Sequence, residues 1–465
     1  MIKQKKELLQ KAVLFGSIIQ YLIYKFSNLE FYFGDGNGYF YMAQAVKNGL
    51  VPYRDFLIAD PPLLVYLLAI IKTLIGNNLV LFLAVPPLLE AATSYLLYLN
   101  LKQQSVKLAF MAPLLYLFSF AILSTSDYVT GLHFVILLVS GAILLKEKPI
   151  ISGVLWGLAT LIKLYTIPGF IAFIIWQMTQ KNWQVVKKTF LAYTLTGALI
   201  MLPFLIIAPQ QVIDQIIVHQ FNRPPGISKA NVFSFFFIHD FPIIIVGLIG
   251  IIWLKKSLLA LLFGGWLMFY LLFQDLYYVY LGKLAPWLVL GTILAIEAIS
   301  NRLKKDDLGV KIALSLIILI FLSHIPALIS YHNRFRLEGQ FPHAPEVAIF
   351  VSKLDPQLPL YGSHEVTPLI ALMTNRSLFN NHIDTNTQIF GSGALGKKEV
   401  SDQAAQHGVY LLSKVANIEI NANLDSGCEG YFDQEVFEET CERLIIIDGP
   451  KRELFSDIAI YHCQY

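Results

Sequence analysis

Apolar residues run along this chain in blocks, and the polar residues gather in the short stretches between them. The blocks fall at 12–28, 79–101, 107–124, 131–145, 150–163, 166–180, 189–208, 236–254, 257–274, 278–300 and 310–329. Each approaches the roughly 20 residues a helix needs to cross a hydrocarbon core, so the pattern predicts about eleven transmembrane helices. A further apolar stretch opens at Pro61-Pro62 and closes at Gly76-Asn77-Asn78. It is about 15 residues long, and the count of spans between the basic loops works only if it does not cross but lies at the outer interface. After residue 330 the apolar runs shrink to strand length (VAIFV, LPLYG, LIIIDG) and polar residues return, which predicts a small α/β domain. The expected organisation is a membrane domain over 1–330, with a first outer loop at 29–78 carrying interfacial helices, and a soluble domain over 331–465.

Composition agrees with the pattern. Of 465 residues, 56% are hydrophobic and 14% charged, with a mean hydropathy of +0.59, beyond the usual range of globular proteins. The fold class expected is therefore a polytopic α-helical membrane protein. A net charge of +3 gives no reason to invoke nucleic acid. The first apolar run, Ala12 to Phe26, shows no small-residue cleavage site and reads as a retained span. Lysines and arginines cluster in the segment MIKQKKELLQK and at Lys102–Lys107, Lys146–Lys148, Lys181–Lys188, Lys255-Lys256 and Arg302–Lys311. Such loops face the cytoplasm. An odd number of spans then puts 331–465 outside the cell membrane.

The same count places most of the suggestive polar residues on that outer face. In FYFGDGNGYFYMAQAVKNGLVPYRDFLIADPPLLVYLL, residues 31–68, Asp35 lies between Gly34 and Gly36, which leave it unshielded, and Asp60 immediately precedes Pro61-Pro62. Asp127 follows in STSDYVTG, then His219, Asn222 and Arg223 before Pro224-Pro225-Gly226, and Asp275 in FQDLYYVY. Lys163 interrupts an apolar stretch that splits near Tyr165 to Pro168, and Lys283 lies in YLGKLAPW close to Tyr277, Tyr278 and Tyr280. Ionisable groups at membrane depth are costly and usually functional. Each also has a plainer reading: Asp127 as a helix cap, Lys163 as a residue snorkelling to headgroups, the tyrosines as an aromatic belt, and His219 and Arg223 as parts of a solvated loop. Glu90 in LLEAATSY either pairs with a cation or is protonated in place, and His133 reads as a packed core histidine.

An acid soon after the first span, a helical stretch with Tyr39, Ala43 and Ala45, the segment Gly49-Leu50-Val51-Pro52-Tyr53-Arg54-Asp55, and an acid before Pro-Pro-Leu together resemble the first outer loop of GT-C glycosyltransferases. The protein mannosyltransferase and aminoarabinose-transferase branch is the most similar, over about residues 12 to 300. The resemblance implies transfer of a hexose or pentose from a polyprenyl-phosphate donor, with inversion, to a hydroxyl of a glycan, lipid or protein acceptor outside the membrane. It implies Asp35 as general base and Asp60 as a second catalytic acid. Arg54, Asp127, Lys163, His219, Arg223, Tyr277, Tyr278 and Lys283 are the candidate substrate-binding residues. The role of Asp60 stays open between hydrogen-bonding the sugar, orienting a cation such as Arg54, and sharing a divalent metal with Asp35. The branch implies no resident cofactor, with that metal as the alternative.

Two other function classes fit a chain of this composition. A transporter or flippase would favour internal repeats and charges at the midplane; no repeat is evident, and the acids gather at one face. A lipid-linked glycan ligase or polymerase would need a larger outer loop than 210–231. No GxxxxGK[ST], HExxH or CxxC occurs. The cysteines at 428, 441 and 463 allow a Cys428–Cys441 disulfide, with Cys463 left over. The tail segment YGSHEVTPLIALMTNRSLFNNHIDTN, rich in His, Asn and Asp, is suited to hydrogen-bonding acceptor hydroxyls or is a polar domain edge.

Overall fold

The computed structural model describes residues 2–76, 78–254, 257–302, 306–416, 428, 430–450 and 455–465. The basic loop at Lys255-Lys256 and the lysines at 304 and 305 fall outside the described residues, as does Asn77. The protein is a polytopic α-helical membrane protein with a small sheet near its C-terminus. Among the described residues, five helices are long and apolar enough to cross a bilayer: Val80–Gln103, Trp183–Ile207, Lys229–Trp253, Tyr278–Arg302 and Leu314–Phe335. Shorter apolar helices are Leu63–Ile75, Gly131–Leu144, Pro149–Thr160, Leu164–Thr179 and Ser257–Leu272. Leu199, Leu202 and Ile206 on Trp183–Ile207 are exposed, the face expected to meet lipid. The segment Tyr278–Arg302 is instead almost wholly enclosed. It packs closely on Lys229–Trp253 through glycines, since a Cβ at Gly250 would run into the backbone of Gly291.

The predicted span 107–124 is broken. Ala112–Leu117 stops, Ser119 is extended (φ −68°, ψ 146°), and a new helix starts at Phe120. A break within a membrane domain frees N–H groups that water cannot satisfy. Here Asp240 fills that need, accepting from the backbone of Phe120 and Ala121 at 2.9 Å each. Asp240 sits at the non-helical kink of Lys229–Trp253, two residues before Pro242, and also contacts His324 Nε2 at 3.2 Å. Two interrupted helices are thus joined by one buried carboxylate.

The first outer loop folds into three pieces after α1, Ile2–Phe26. The helix α2, Asp35–Lys47, begins at Gly34 and ends at Asn48, where Gly49 takes φ 90° and turns the chain away. The helix α3, Leu63–Ile75, starts behind Pro62, whose fixed φ suits a first turn. Thirteen residues rise only about 20 Å, short of a straight crossing. The two helices pack on each other, and Phe40, Ala43, Leu64, Val65 and Leu68 are buried in the core.

The C-terminal sheet has order β1-β2-β4-β3, with β1 Leu360–Gly362, β2 Val409–Ala416, β3 Cys441–Ile447 and β4 Phe455–Cys463. β1 runs parallel to β2, and the other pairs are antiparallel. LPLYG and LIIIDG enter strands as expected, whereas VAIFV forms the helix Ala344–Val351. Pro345 in its first turn and burial of Val347, Ala348 and Val351 with Ile349 exposed give it a helical face. The disulfide also differs from expectation. It joins Cys441 to Cys463, which are directly paired across β3 and β4, and Cys428 lies outside it; a spacing read without the strand register could not choose between these pairings. The tail is sewn to the first loop: Phe33 N donates to Gly339 O at 2.7 Å and Phe341 N to Phe31 O at 2.6 Å. Asn37 Nδ2 donates to Glu365 O at 2.5 Å, and Leu378 N to the Tyr41 hydroxyl at 3.2 Å.

Candidate active site

Those stitches set residues 364–386 over the N-terminal end of α2, and a cleft lies between them. Asp35, Asp60, Lys163 and Arg223 line it, together with Tyr39, Tyr165, Gln220, Tyr280, His364, Asp384 and Asn386. Asp35 is the first residue of α2, where free N–H groups favour a negative charge. Its side chain is 59% exposed and faces His364, with Nε2 3.4 Å from Oδ1. Partial desolvation in the cleft would raise the Asp35 carboxyl, but the hydrogen bond and charge of His364, then Lys163 and Arg223, hold it below the usual carboxylate value. Burial likewise works against a charged His364, yet Asp35, Glu365 and Asp384 prevail and push it up to about 9. Asp384 is raised, by burial foremost and also by Asp35, while His364 opposes the shift.

The wall opposite is a buried triad. Lys163, in the break between Pro149–Thr160 and Ile167–Thr179, forms a short ion pair with Asp60 and donates to the Tyr39 hydroxyl at 2.9 Å. Tyr39 donates in turn to Asp60 Oδ2 at 3.0 Å. Tyr53 and Gln220 fix the strand before Pro61 by donating to the carbonyls of Asp60 at 2.9 Å and Ala59 at 2.7 Å. An ammonium carries three donors, and Asp60 and Tyr39 take two. Arg223 donates to the Tyr165 hydroxyl at 3.1 Å and faces Asp275 at 3.2 Å. Gly226 makes room for that contact, since a Cβ there would lie 2.5 Å from Asp275 Oδ1. The inner space is narrow, about 50 Å³, which is room for one or two waters.

The other candidates lie elsewhere. Arg54 is half exposed and bound to its neighbour Asp55 at 2.7 Å; the cation in contact with Asp60 is Lys163. His219 shares a separate surface cavity with Arg54; it is buried, 2.6 Å from Ser392 Oγ through Nδ1, and burial, with the charge of Arg223, lowers it to about 4. Asp127 pairs with Lys25 at 2.6 Å and accepts from Tyr331 at 2.8 Å. The cap of Gly131–Leu144 is Thr130 rather than Asp127. Tyr278 lines a cavity beside Asp127 and pairs with Tyr128. Tyr277 is half-buried and reaches Gln388. Lys283 is buried behind the cleft, its ammonium 5.1 Å from the Tyr165 ring centre and without a hydrogen-bond partner among the described residues. His133 is more than packing, since Nδ1 lies 2.6 Å from Glu90 Oε1. His364, Asp384 and Asn386 were not singled out individually in the sequence, although their polar segment was.

No protein-family model and no curated protein sequence matches the chain. Solved structures do match. ArnT from Cupriavidus metallidurans in the apo state aligns over 99% of this chain and 98% of its own, at a TM-score of 0.63 and 10% identity. The same protein bound to undecaprenyl phosphate aligns over 98% and 97%, at 0.52 and 13% identity. This chain has the GT-C fold. The oligosaccharyltransferase of Archaeoglobus fulgidus, in complex with zinc and sulfate, is a further neighbour at a TM-score of 0.53 and 14% identity, over 86% of this chain and 68% of its own. In the GT-C fold of this chain, no group of three or more His, Cys, Asp or Glu among the described residues is arranged to hold a metal ion. Asp60 Oδ2 accepts from both Lys163 and Tyr39.

Proposed function

We propose that this chain is a glycosyltransferase that moves a sugar from a polyprenyl-phosphate donor to an acceptor hydroxyl on the outer face of the cell membrane, with inversion. The observation that carries the reading is the pairing of an open carboxylate, Asp35, with the cations Lys163 and Arg223 in one cleft of a GT-C fold. The neighbour bound to undecaprenyl phosphate supports the donor class, and the basic loops and the Cys441–Cys463 disulfide support an extracytoplasmic tail.

In this reading Asp35 takes the proton of the acceptor hydroxyl as the oxygen attacks the anomeric carbon from the face opposite the phosphate. His364 keeps the carboxylate ionised and aimed. Lys163 gives its third donor to the departing phosphate, and Arg223 adds a second cation. Asp60 and Tyr39 are positioning residues that hold the Lys163 ammonium. The division at 330 falls in the last turns of the crossing helix Leu314–Phe335, and the tail beyond it completes the pocket and meets the acceptor.

The test is sugar transfer from radiolabelled polyprenyl-phosphate hexoses and pentoses in reconstituted membranes. Asp35→Asn is expected to lower transfer by roughly 10²–10⁴-fold with folding intact, and chelator is expected to leave the native rate unchanged. Transfer by Asp35→Asn at the native rate would remove the base, and donor left unconsumed across sugars and acceptors would favour lipid or glycan transport.

A further inference from the structure

Beside the C-terminal half of α2 lies a second cavity of about 970 Å³, large enough for a ligand of disaccharide size. Its walls come from α2, α3, residues 78–80 and the turn after the helix Thr367–Thr374. Among the described residues no carboxylate lines it; its charged side chains are Lys72 and Arg376, set among amides such as Gln44, Asn48 and Asn375. Arg376 donates to the carbonyls of Val351 at 3.1 Å and Leu358 at 2.9 Å, which fixes the turn, and its acidic neighbour is Asp355, outside the cavity lining.

Lys72 is the telling residue. It is 2% exposed, yet none of the ion pairs among the described residues includes it. Its amine lies 5.6 Å from the Phe82 ring centre, and the charge acting on it is the like charge of Lys47. A buried ammonium without a counter-ion is costly, and an anion entering the cavity relieves that cost. Amides offer both donors and acceptors, which match hydroxyl groups. Ile70 and Leu74 on α3 and Leu81 beyond it are 59%, 80% and 44% exposed, so the cavity adjoins an apolar surface of the kind that beds into a bilayer.

We propose that this cavity binds an anionic polyol headgroup, with Lys72 as counter-ion to its phosphate and the amides on its hydroxyls. The site is separate from the chemistry of the cleft. Asp35 and Asn48 stand at opposite ends of α2, about 20 Å apart, and the proposal does not depend on Asp35 acting as a base.

The experiment is native mass spectrometry of the full chain extracted from phosphatidylcholine nanodiscs containing a minority of phosphatidylglycerol. The native chain is expected to retain phosphatidylglycerol in preference to phosphatidylcholine, and Lys72→Met to lose that preference by roughly tenfold. Ser377→Glu puts a negative charge on the cavity wall without disturbing the packing of Lys72, and is expected to do the same. Asp35→Asn retains the lipid as the native chain does. Soluble glycerol phosphate displaces the lipid if the phosphate alone is recognised and leaves it if the acyl chains contribute; either result keeps the site. Equal retention of the two lipids, or unchanged retention in both variants, overturns the proposal.

Discussion

Two aspartate–lysine–tyrosine clusters occupy this protein, and they differ in one count. In the cleft, Lys163 meets Asp60 and Tyr39 and has one donor left. At the other cluster, Lys25 meets Asp127 at 2.6 Å, the Tyr331 hydroxyl at 2.6 Å and the Leu123 carbonyl at 2.5 Å, and has none. The first cluster adjoins a second acid and a histidine in an open cleft. The second ties α1 to the start of the tail and to the broken helix Phe120–Thr125. Under the proposed function, the same three residue types serve as a grip in one place and a rivet in the other, and the spare donor tells them apart.

The comparison can be broken most forcefully by removing each lysine. Lys163→Met is expected to lower sugar transfer by roughly 10²–10³-fold, with the melting temperature of the detergent-solubilised protein changed far less than in Lys25→Met. Lys25→Met leaves Asp127 buried without its cation, which costs about 3–5 kcal/mol and lowers the melting temperature, while the surviving folded fraction keeps its donor KM. Lys25→Met with Asp127→Asn should recover part of that loss. If Lys25→Met removed transfer from stably folded protein, the distinction between grip and rivet would fail.

A finer cut concerns His364. Its folded value, about 9, lies above the free value of roughly 6.5, so its share of the pairing with Asp35 is complete below that free value and is lost as pH climbs through about 9. Asp35 is depressed, so its share is lost only as pH falls through the acid range. In His364→Gln the charge that lowers Asp35 is gone. The acidic limb of the kcat/KM profile should therefore move to higher pH. A purely structural role would lower the whole profile without moving that limb. The smallest effect is expected from Arg54→Ala, because its partner is the adjacent Asp55 on the surface; transfer should change by less than about twofold.

Much of the cleft could be read from the chain. Asp35, Asp60, Lys163 and Arg223 stand out because charges are rare in an apolar background. Depth and partnership were not readable. Asp127 has the same composition around it as a site acid, and only the packing of Lys25 and Tyr331 shows it to be closed. His364 is 329 residues from Asp35, and the backbone bonds that bring them together at Phe31 and Phe33 involve no side-chain signal. The run VAIFV suits either a strand or a buried helix turn by periodicity alone. The break at Ser119 depends on Asp240, about 120 residues further along, a coupling that a local pattern does not contain.

The stitching of residues 31–33 to 339–341 also bears on biogenesis. Asp35 leaves the ribosome early, but its histidine partner emerges only after the last crossing helix has been made. A nascent chain halted before Ser363 would already have its transmembrane helices in the bilayer, yet it would present half a pocket. Under the proposed function, the cleft is completed only late in synthesis, once residues 364–386 have been made.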